Sequence, residues 1–379
     1  MIYFDNAATG GKKPQSVLSA VSFALQNCAN PGRAGHKLSL SCAKKVQDCR
    51  HALNRFFDGY GYEYVAFTKN CTEALNIALF GVLKKGDHVI VGCTEHNSVL
   101  RVVERLQKQG VINYDVCPLT KDGDHANISA KSVKRLLKPN TKLVAITSAS
   151  NVNGAIPPID EIRAILPKHV LFLCDGAQGG GHLPISMQKS GIDLFTIAGH
   201  KGLYGIQGSG ALLFSPRVQI SPLTYGGTGS LSISLDMPDF YPDCLEAGTL
   251  SYPAVISLLE GINFLETRRE EIARRLTELC NYCINGLRRL KNYRCFSVEN
   301  ACGIVAFSHK SAQAEYIADV LSTKYDIAVR GGLHCAPLMH EALGSLDDGL
   351  VRVSFSLYNK TDEIDVLLTA LKEIDDSIL

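Results

Sequence analysis

The chain has 379 residues, 46% of them apolar, and a formal net charge of +2. That length exceeds one ordinary core and predicts two domains in one compact protein, while a mean hydropathy near zero predicts a soluble, folded chain. Near-neutral charge with no long basic run excludes a nucleic-acid partner, and no apolar stretch reaches the roughly 18 residues of a membrane helix. The opening Met1-Ile2-Tyr3-Phe4-Asp5-Asn6 has neither the basic nor the apolar region of an export signal. Thirteen cysteines in so large a chain read as reduced, packed thiols of a cytoplasmic protein, not as a disulfide framework. Cys280 and Cys283 form a lone CxxC without a second pair, so no metal site is expected.

Strand-like runs alternate with helical ones from about residue 63 to 214. Glu63-Tyr64-Val65-Ala66-Phe67 precedes a helix starting near Thr72, and Asp87-His88-Val89-Ile90-Val91 precedes another near Asn97. Leu143-Val144-Ala145-Ile146-Thr147 leads through a loop to the helical Asp160-Glu161-Ile162-Arg163. Val170-Leu171-Phe172-Leu173-Cys174 and Asp193-Leu194-Phe195-Thr196-Ile197 are two further apolar runs. Apolar strands without alternation, separated by helices, predict an α/β fold whose largely parallel sheet is covered on both faces. A ligand then belongs at the carboxyl ends of the strands. From Pro253 a helical pattern rich in Arg and Glu runs through Leu290, followed by short strands at Gly303–Phe307, Ile327–Val329 and Val351–Val353. The division expected is a large domain over residues 14–252 and a smaller α+β domain built from 1–13 and 253–379, joined by one long helix. Gly205, Gly208 and Gly210 lie between apolar strands, so they form a turn and no dinucleotide fingerprint.

Two residues carry the chemistry. Asp175 closes one apolar run and Lys201, in Gly199-His200-Lys201-Gly202, closes the next. Neighbouring strands can therefore deliver an acid and an amine to one pocket. Pyridoxal 5′-phosphate (PLP) requires that pair: a lysine amine for the Schiff base and a carboxylate that keeps the ring nitrogen protonated.

Further segments are Tyr3-Phe4-Asp5-Asn6-Ala7-Ala8, Gly32-Arg33-Ala34-Gly35-His36, Phe67-Thr68-Lys69-Asn70-Cys71-Thr72-Glu73, Glu95-His96-Asn97 and Ser150-Asn151-Val152-Asn153-Gly154. Asp175-Gly176-Ala177-Gln178, Glu246-Ala247-Gly248-Thr249, Arg330-Gly331-Gly332-Leu333-His334-Cys335-Ala336 and Val351-Arg352-Val353-Ser354 complete the set. With these, nearly end to end, the chain resembles the PLP enzymes of fold type I in the class V aminotransferase group, and most of all the group II (Suf-type) cysteine desulfurases. The resemblance implies that Lys201 holds the cofactor and moves the Cα proton, that Asp175 pairs with the ring nitrogen, and that Gln178 and Asn151 meet the ring hydroxyl. It implies His96 stacked on the ring, and Thr72 with His200 at the phosphate. The residue matching Thr249 reaches the phosphate from a neighbouring subunit, which implies a homodimer.

Cys71 and Ala198 stand in this cradle where hydroxyl residues are usual, and each substitution is expected to remove a hydrogen bond to phosphate. Arg352 matches the arginine that grips the substrate carboxylate, with Arg330 and His36 on the same side. Cys335 matches the nucleophile, and the thiolate is the attacking form, so Arg330 and His334 nearby are expected to favour it. Leu333 takes the place of a second histidine, and the Tyr225–Glu246 segment is short for the family.

The implied activity converts L-cysteine to L-alanine, leaving a persulfide on Cys335 for an acceptor protein or thiol, as in iron–sulfur cluster assembly. Selenocysteine lyase acting on L-selenocysteine, another class V lyase or epimerase, and a non-catalytic sulfur-relay scaffold stand as alternatives.

Overall fold

A computed structural model describes residues 1–31, 34–122 and 125–378; Gly32 and Arg33 of the loop before His36 lie outside the described residues. The chain opens with β1 (Ile2–Tyr3), α1 (Gln15–Gln26) and α2 (Lys37–Phe56). It continues through β2 (Val65–Thr68), α3 (Cys71–Val82), β3 (Asp87–Gly92), α4 (Asn97–Lys108), β4 (Ile112–Cys117), a hairpin of β5 (Thr120–Asp122) with β6 (His125–Asn127), and α5 (Ala130–Leu136). β7 (Thr141–Thr147), α6 (Ile159–Ile165), β8 (Leu171–Asp175), β9 (Leu194–Ala198) and β10 (Gly210–Phe214) follow.

Seven of these strands form one sheet in the order β2-β10-β9-β8-β7-β3-β4. Only β10 runs against its neighbours. β8, β9 and β10 are buried along their whole length, as unbroken apolar runs covered on both faces require. The covered, mostly parallel sheet expected from the pattern is the one found. Register then sets the chemistry: Asp175 pairs with Thr147 on one side and Thr196 on the other, so three strand ends meet at one level. At Gly210 an added Cβ would lie 2.7 Å from the Asn70 backbone, so a side chain there would push β10 off the start of α3.

The helical stretch read as one piece through Leu290 is two helices, α7 (Tyr252–Glu266) and α8 (Arg269–Leu287), broken at Thr267 and Arg268. The break falls where apolar sequence gives way to Arg268-Arg269-Glu270-Glu271. α7 is buried almost all round and packs on α1 and α2, whereas α8 keeps a charged face in water. Gly261 lets the α7 backbone press on the turn after Lys201, because a Cβ there would collide with the Leu203 carbonyl.

Beyond α8 lie β11 (Tyr293–Cys295), β12 (Ile304–His309), α9 (Ala314–Tyr325), β13 (Ile327–Ala328), α10 (Pro337–Leu343), β14 (Val351–Ser354) and α11 (Thr361–Ile378). β11, β12 and β14 make an antiparallel sheet, while β1 pairs with β13 and Asp5 bridges to Ser354. The first residues of the chain are thereby held against β14, beside Arg352. A continuous apolar cluster runs from Phe57 and Phe195 to Phe307, Phe355 and Leu371, so both regions share one core.

Candidate active site

A cavity of about 230 Å³ opens at the carboxyl ends of β7, β8 and β9, between the large sheet and β14. Cys71, Thr72, His96, Asn151, Asp175, Gln178, Ala198, His200, Lys201, Arg330 and Arg352 all line it. Residues scattered over most of the chain thus converge, as strand-end loops do in open α/β sheets.

Asp175 ends β8, and its Oδ1 accepts the Ala177 N–H at 2.9 Å. Cys71 Sγ lies 3.3 Å from the same oxygen and 3.3 Å from Thr196 Oγ1. Burial pushes the Cys71 thiol well up, so it stays a neutral S–H. Its side chain is therefore turned toward Asp175, and the hydrogen bond that a hydroxyl would give phosphate is replaced by a donor to the carboxylate. Lys201 sits in the turn after β9; burial lowers its pKa and the Asp175 charge opposes the shift. An amine in that balance gives up its proton more readily than a surface lysine does.

The first turns of α3 and α4 also line the cavity. Asn70 caps α3 by accepting the Glu73 N–H at 2.9 Å, and Glu73 accepts the Lys69 N–H at 2.6 Å. The backbone N–H groups of Cys71 and Thr72 are left as donors at the helix start. Thr72 Oγ1 meets Ser98 Oγ at 3.0 Å, which joins the first turns of α3 and α4. Ser98 received no role from sequence; here it supplies a hydroxyl where Ala198 offers only a buried methyl. His200 Nδ1 lies 3.0 Å from Thr9 Oγ1, and burial, then the Lys201 and Lys13 charges, lower its pKa to about 4. The Lys13 ammonium donates to the His200 carbonyl at 2.8 Å.

His96 is the N-cap of α4. Its Nδ1 accepts from the Ser98 N–H at 3.0 Å and faces Ser98 Oγ at 2.6 Å, which leaves Nε2 as the N–H. Burial and the Lys201 charge hold its pKa near 4, so the ring is neutral at ordinary pH. Beneath it Glu95, quoted from sequence without a role, accepts the Thr147 N–H at 2.6 Å. Its Oε2 is buried without a partner among the described residues, and burial, then the Asp175 charge, push its pKa well up.

Arg352, on β14, is 1% exposed. Its Nη2 donates to Asp5 Oδ1 at 2.7 Å and its Nη1 to the Asn151 carbonyl at 2.9 Å, while Nε has no partner. Asp5 is a residue that sequence reasoning left unassigned; the Asp5-Asn6 motif was its signal. Asn151 Nδ2 donates to the His334 carbonyl at 2.6 Å, and Gln178 Nε2 donates to the Ala7 carbonyl at 3.0 Å.

Cys335 is exposed, next in sequence to the cavity-lining His334, with Arg330 Nη2 3.7 Å from its Sγ. His334 and Cys335 are successive non-glycine residues with φ of 51° and 57°, a left-handed pair that its surroundings must hold in place. The expectation that His334 favours the thiolate is corrected here. Its Nε2 faces the Arg330 carbonyl at 3.2 Å and its Nδ1 faces His340 Nε2 at 3.2 Å, so neither nitrogen is left for Cys335.

Two expected residues stand apart. His36 is an exposed N-cap that accepts the Ser39 N–H at 3.3 Å at the start of α2, away from the cavity. Its position follows from local capping chemistry, which any strand-to-helix entry offers. Thr249 is exposed beside a separate cavity of about 110 Å³, next to Glu246. Glu246 forms a buried pair with Arg50 at 2.5 and 2.8 Å and accepts the Phe67 N–H at 2.6 Å, anchoring that loop to β2.

The profile of the aminotransferase class-V family matches residues 2–367, and the chain belongs to that family. A probable cysteine desulfurase of Methanothermobacter thermautotrophicus is 31% identical over 98% of this chain and 94% of its own length. A cysteine desulfurase of Serratia proteamaculans is 30% identical over 99% of this chain and 93% of its own. The apo structure of a cysteine desulfurase from Thermococcus onnurineus superimposes with a TM-score of 0.88 at 29% identity, covering 98% of this chain and 94% of that one.

Proposed function

We propose that the protein is a PLP-dependent cysteine desulfurase of the group II type that converts L-cysteine to L-alanine and stores the sulfur as a persulfide on Cys335. One observation carries the reading: Lys201, Asp175, Arg330 and His334 line one cavity, and the exposed Cys335 follows His334 directly with its Sγ 3.7 Å from Arg330. Relatives named cysteine desulfurase along nearly the whole chain support it.

The donor set fits the cofactor. Thr72, Ser98 and the α3 N-terminus match a phosphate, Asp175 matches a pyridinium N–H, and the half-buried His96 ring offers a face for stacking. When bound, PLP supplies the electron sink for the carbon atoms of the substrate. The chain does the rest. Arg352, which lines the cavity and is held by Asp5 and the Asn151 carbonyl, orients the substrate carboxylate. Lys201 Nζ takes the Cα proton. The Cys335 thiolate attacks the substrate sulfur, an S–S bond forms as the Cβ–S bond breaks, and the carbon fragment gains a proton at Cβ and recovers one at Cα to become alanine. The balance is cysteine plus thiol giving alanine plus persulfide, with no outside oxidant. An acceptor protein or thiol then removes the outer sulfur. Thr249, exposed away from its own cavity, is left for a partner subunit, which supports a homodimer. Ten of the thirteen cysteines are buried as packed thiols, which supports a reducing cytoplasmic setting.

One observation favours L-selenocysteine as a second substrate: both His334 nitrogens face partners other than the Cys335 sulfur, and selenium leaves carbon with less help. Alanine release from both amino acids, in the wild type and in Cys335→Ala, tests the reading. Loss of cysteine turnover in the variant supports the desulfurase; selenocysteine turnover alone, unaffected by the substitution, overturns it.

A further inference from the structure

The thiol that must attack lies on a turn whose conformation is unfavourable for any residue but glycine, so something outside the turn has to hold it. Three contacts do. Asn151 Nδ2 donates to the His334 carbonyl at 2.6 Å, and the Asn97 N–H donates to the Cys335 carbonyl at 2.8 Å. The third is a chain of side chains running back to α10.

The shortest contacts in that chain fit one assignment of protons. The Arg330 carbonyl can only accept, so His334 Nε2, 3.2 Å away, carries its hydrogen. His334 Nδ1 is then an acceptor, and His340 Nε2 at 3.2 Å must donate to it. With the neutral ring's hydrogen on Nε2, His340 Nδ1 is in turn an acceptor; Ser345 Oγ lies 3.0 Å from it, nearer than the Ser345 carbonyl at 3.4 Å. The rings stack with centroids 5.4 Å apart and 24° between planes, and His334 and His340 are 2% and 0% exposed. Burial lowers the pKa of both, so the neutral forms this pattern needs are the stable ones. The Leu333 side chain is exposed, and its carbonyl accepts the Ala336 N–H at 2.9 Å across the turn.

We propose that His340 and Ser345, remote from the cofactor cavity, are positioning residues for the sulfur nucleophile: through His334 they lock the turn that sets Cys335 beside Arg330. The inference deepens the desulfurase reading and rests on it. Losing the His340 donor would leave His334 Nδ1 buried without a partner, and the cheapest relief is rotation of the ring out of the turn. The thiol would then leave the geometry from which it attacks.

The test uses the PLP-loaded protein in a Cys28→Ser background, because Cys28 and Cys335 are the exposed thiols among thirteen. His340→Leu keeps the bulk and loses the donor, His340→Gln returns an N–H near the place of Nε2, and Ser345→Ala loosens the relay from its far end. The first readout is kcat and KM for alanine formation from cysteine. His340→Leu should lower kcat about tenfold or more with KM within about twofold, and His340→Gln should recover most of the loss. The second readout is the rate of Cys335 alkylation by iodoacetamide, which should change about threefold or more in His340→Leu and in the same direction, by less, in Ser345→Ala. The third is nitrogen NMR of the wild type, in which both rings should be neutral with hydrogen on Nε2. A folded His340→Leu protein with wild-type kcat and alkylation rate would overturn the proposal. So would hydrogen on Nδ1 of His340, or a His340→Gln protein as impaired as His340→Leu. If His340→Leu does not fold, Ser345→Ala and the tautomers decide. Wild-type protein that makes no alanine from cysteine would sink the desulfurase reading instead, and alkylation and NMR would still judge the relay.

Discussion

Cys71 Sγ stands 3.3 Å from Asp175 Oδ1, a neutral thiol donating to the carboxylate that faces the cofactor cavity. A hydrogen bond of this kind is worth about 0.5–1.5 kcal/mol net. Cys71→Ala should therefore release PLP about three- to tenfold more readily in dialysis followed by visible absorbance, whereas Cys71→Ser, with an O–H in the same place, should retain it.

Lys201 has no substitute within the cavity. Lys201→Ala should lower alanine formation by about a thousandfold or more, since one group both tethers the cofactor and moves the proton. Lys201→Arg should fare no better, because a guanidinium keeps its charge. Product assay and the loss of the wild-type visible band check both.

Arg352 lines the cavity while its Nη2 donates to Asp5 and its Nη1 to the Asn151 carbonyl, so the guanidinium is held in place for a substrate carboxylate. Arg352→Lys retains the charge but not the fork, and should raise KM for cysteine about tenfold. Asp5→Asn should raise KM less, by loosening the guanidinium.

Much of this was legible in the sequence, for identifiable reasons. Lys201 and Asp175 each close an unbroken apolar run, and such runs become neighbouring buried strands with their ends level. Side-chain direction was not legible. Cys71 was placed on the phosphate, yet the first turn of α3 aims it at Asp175. His334 was placed on the thiol, yet its ring is claimed by His340, six residues on, through a helix whose start no pattern announced. Ser98 and Asp5 gained roles only when α4 met α3 and when β1 joined β13. The helical run past Pro253 looked continuous because a two-residue break costs the pattern almost nothing.

Glu246 makes a stability prediction separate from the chemistry. It and Arg50 are each 7% exposed at the side chain, and Glu246 also holds the Phe67 N–H. Glu246→Ala would strand a buried guanidinium and should destabilise the fold by about 3–5 kcal/mol, read from urea unfolding.

Acid should weaken the protein in a defined window. His182 has its Nδ1 buried without a partner, and burial lowers its pKa from 6.5 to about 4. The unfolded chain therefore binds the proton first as pH falls, so stability is intact above pH 6.5, declines below it and levels off near 4. The share of His182 is on the order of 2–3 kcal/mol. His182→Phe should flatten that slope in urea midpoints taken at pH 7.5 and 5.

The most direct measurement is the mass of the Cys335 peptide after one turnover with L-cysteine and no reductant, with alanine counted in the same sample. One added sulfur on Cys335, matched by one alanine and absent from Cys335→Ser and Lys201→Ala, is the expected result. Alanine at the wild-type rate from Cys335→Ser, or the sulfur on another cysteine, would contradict the account.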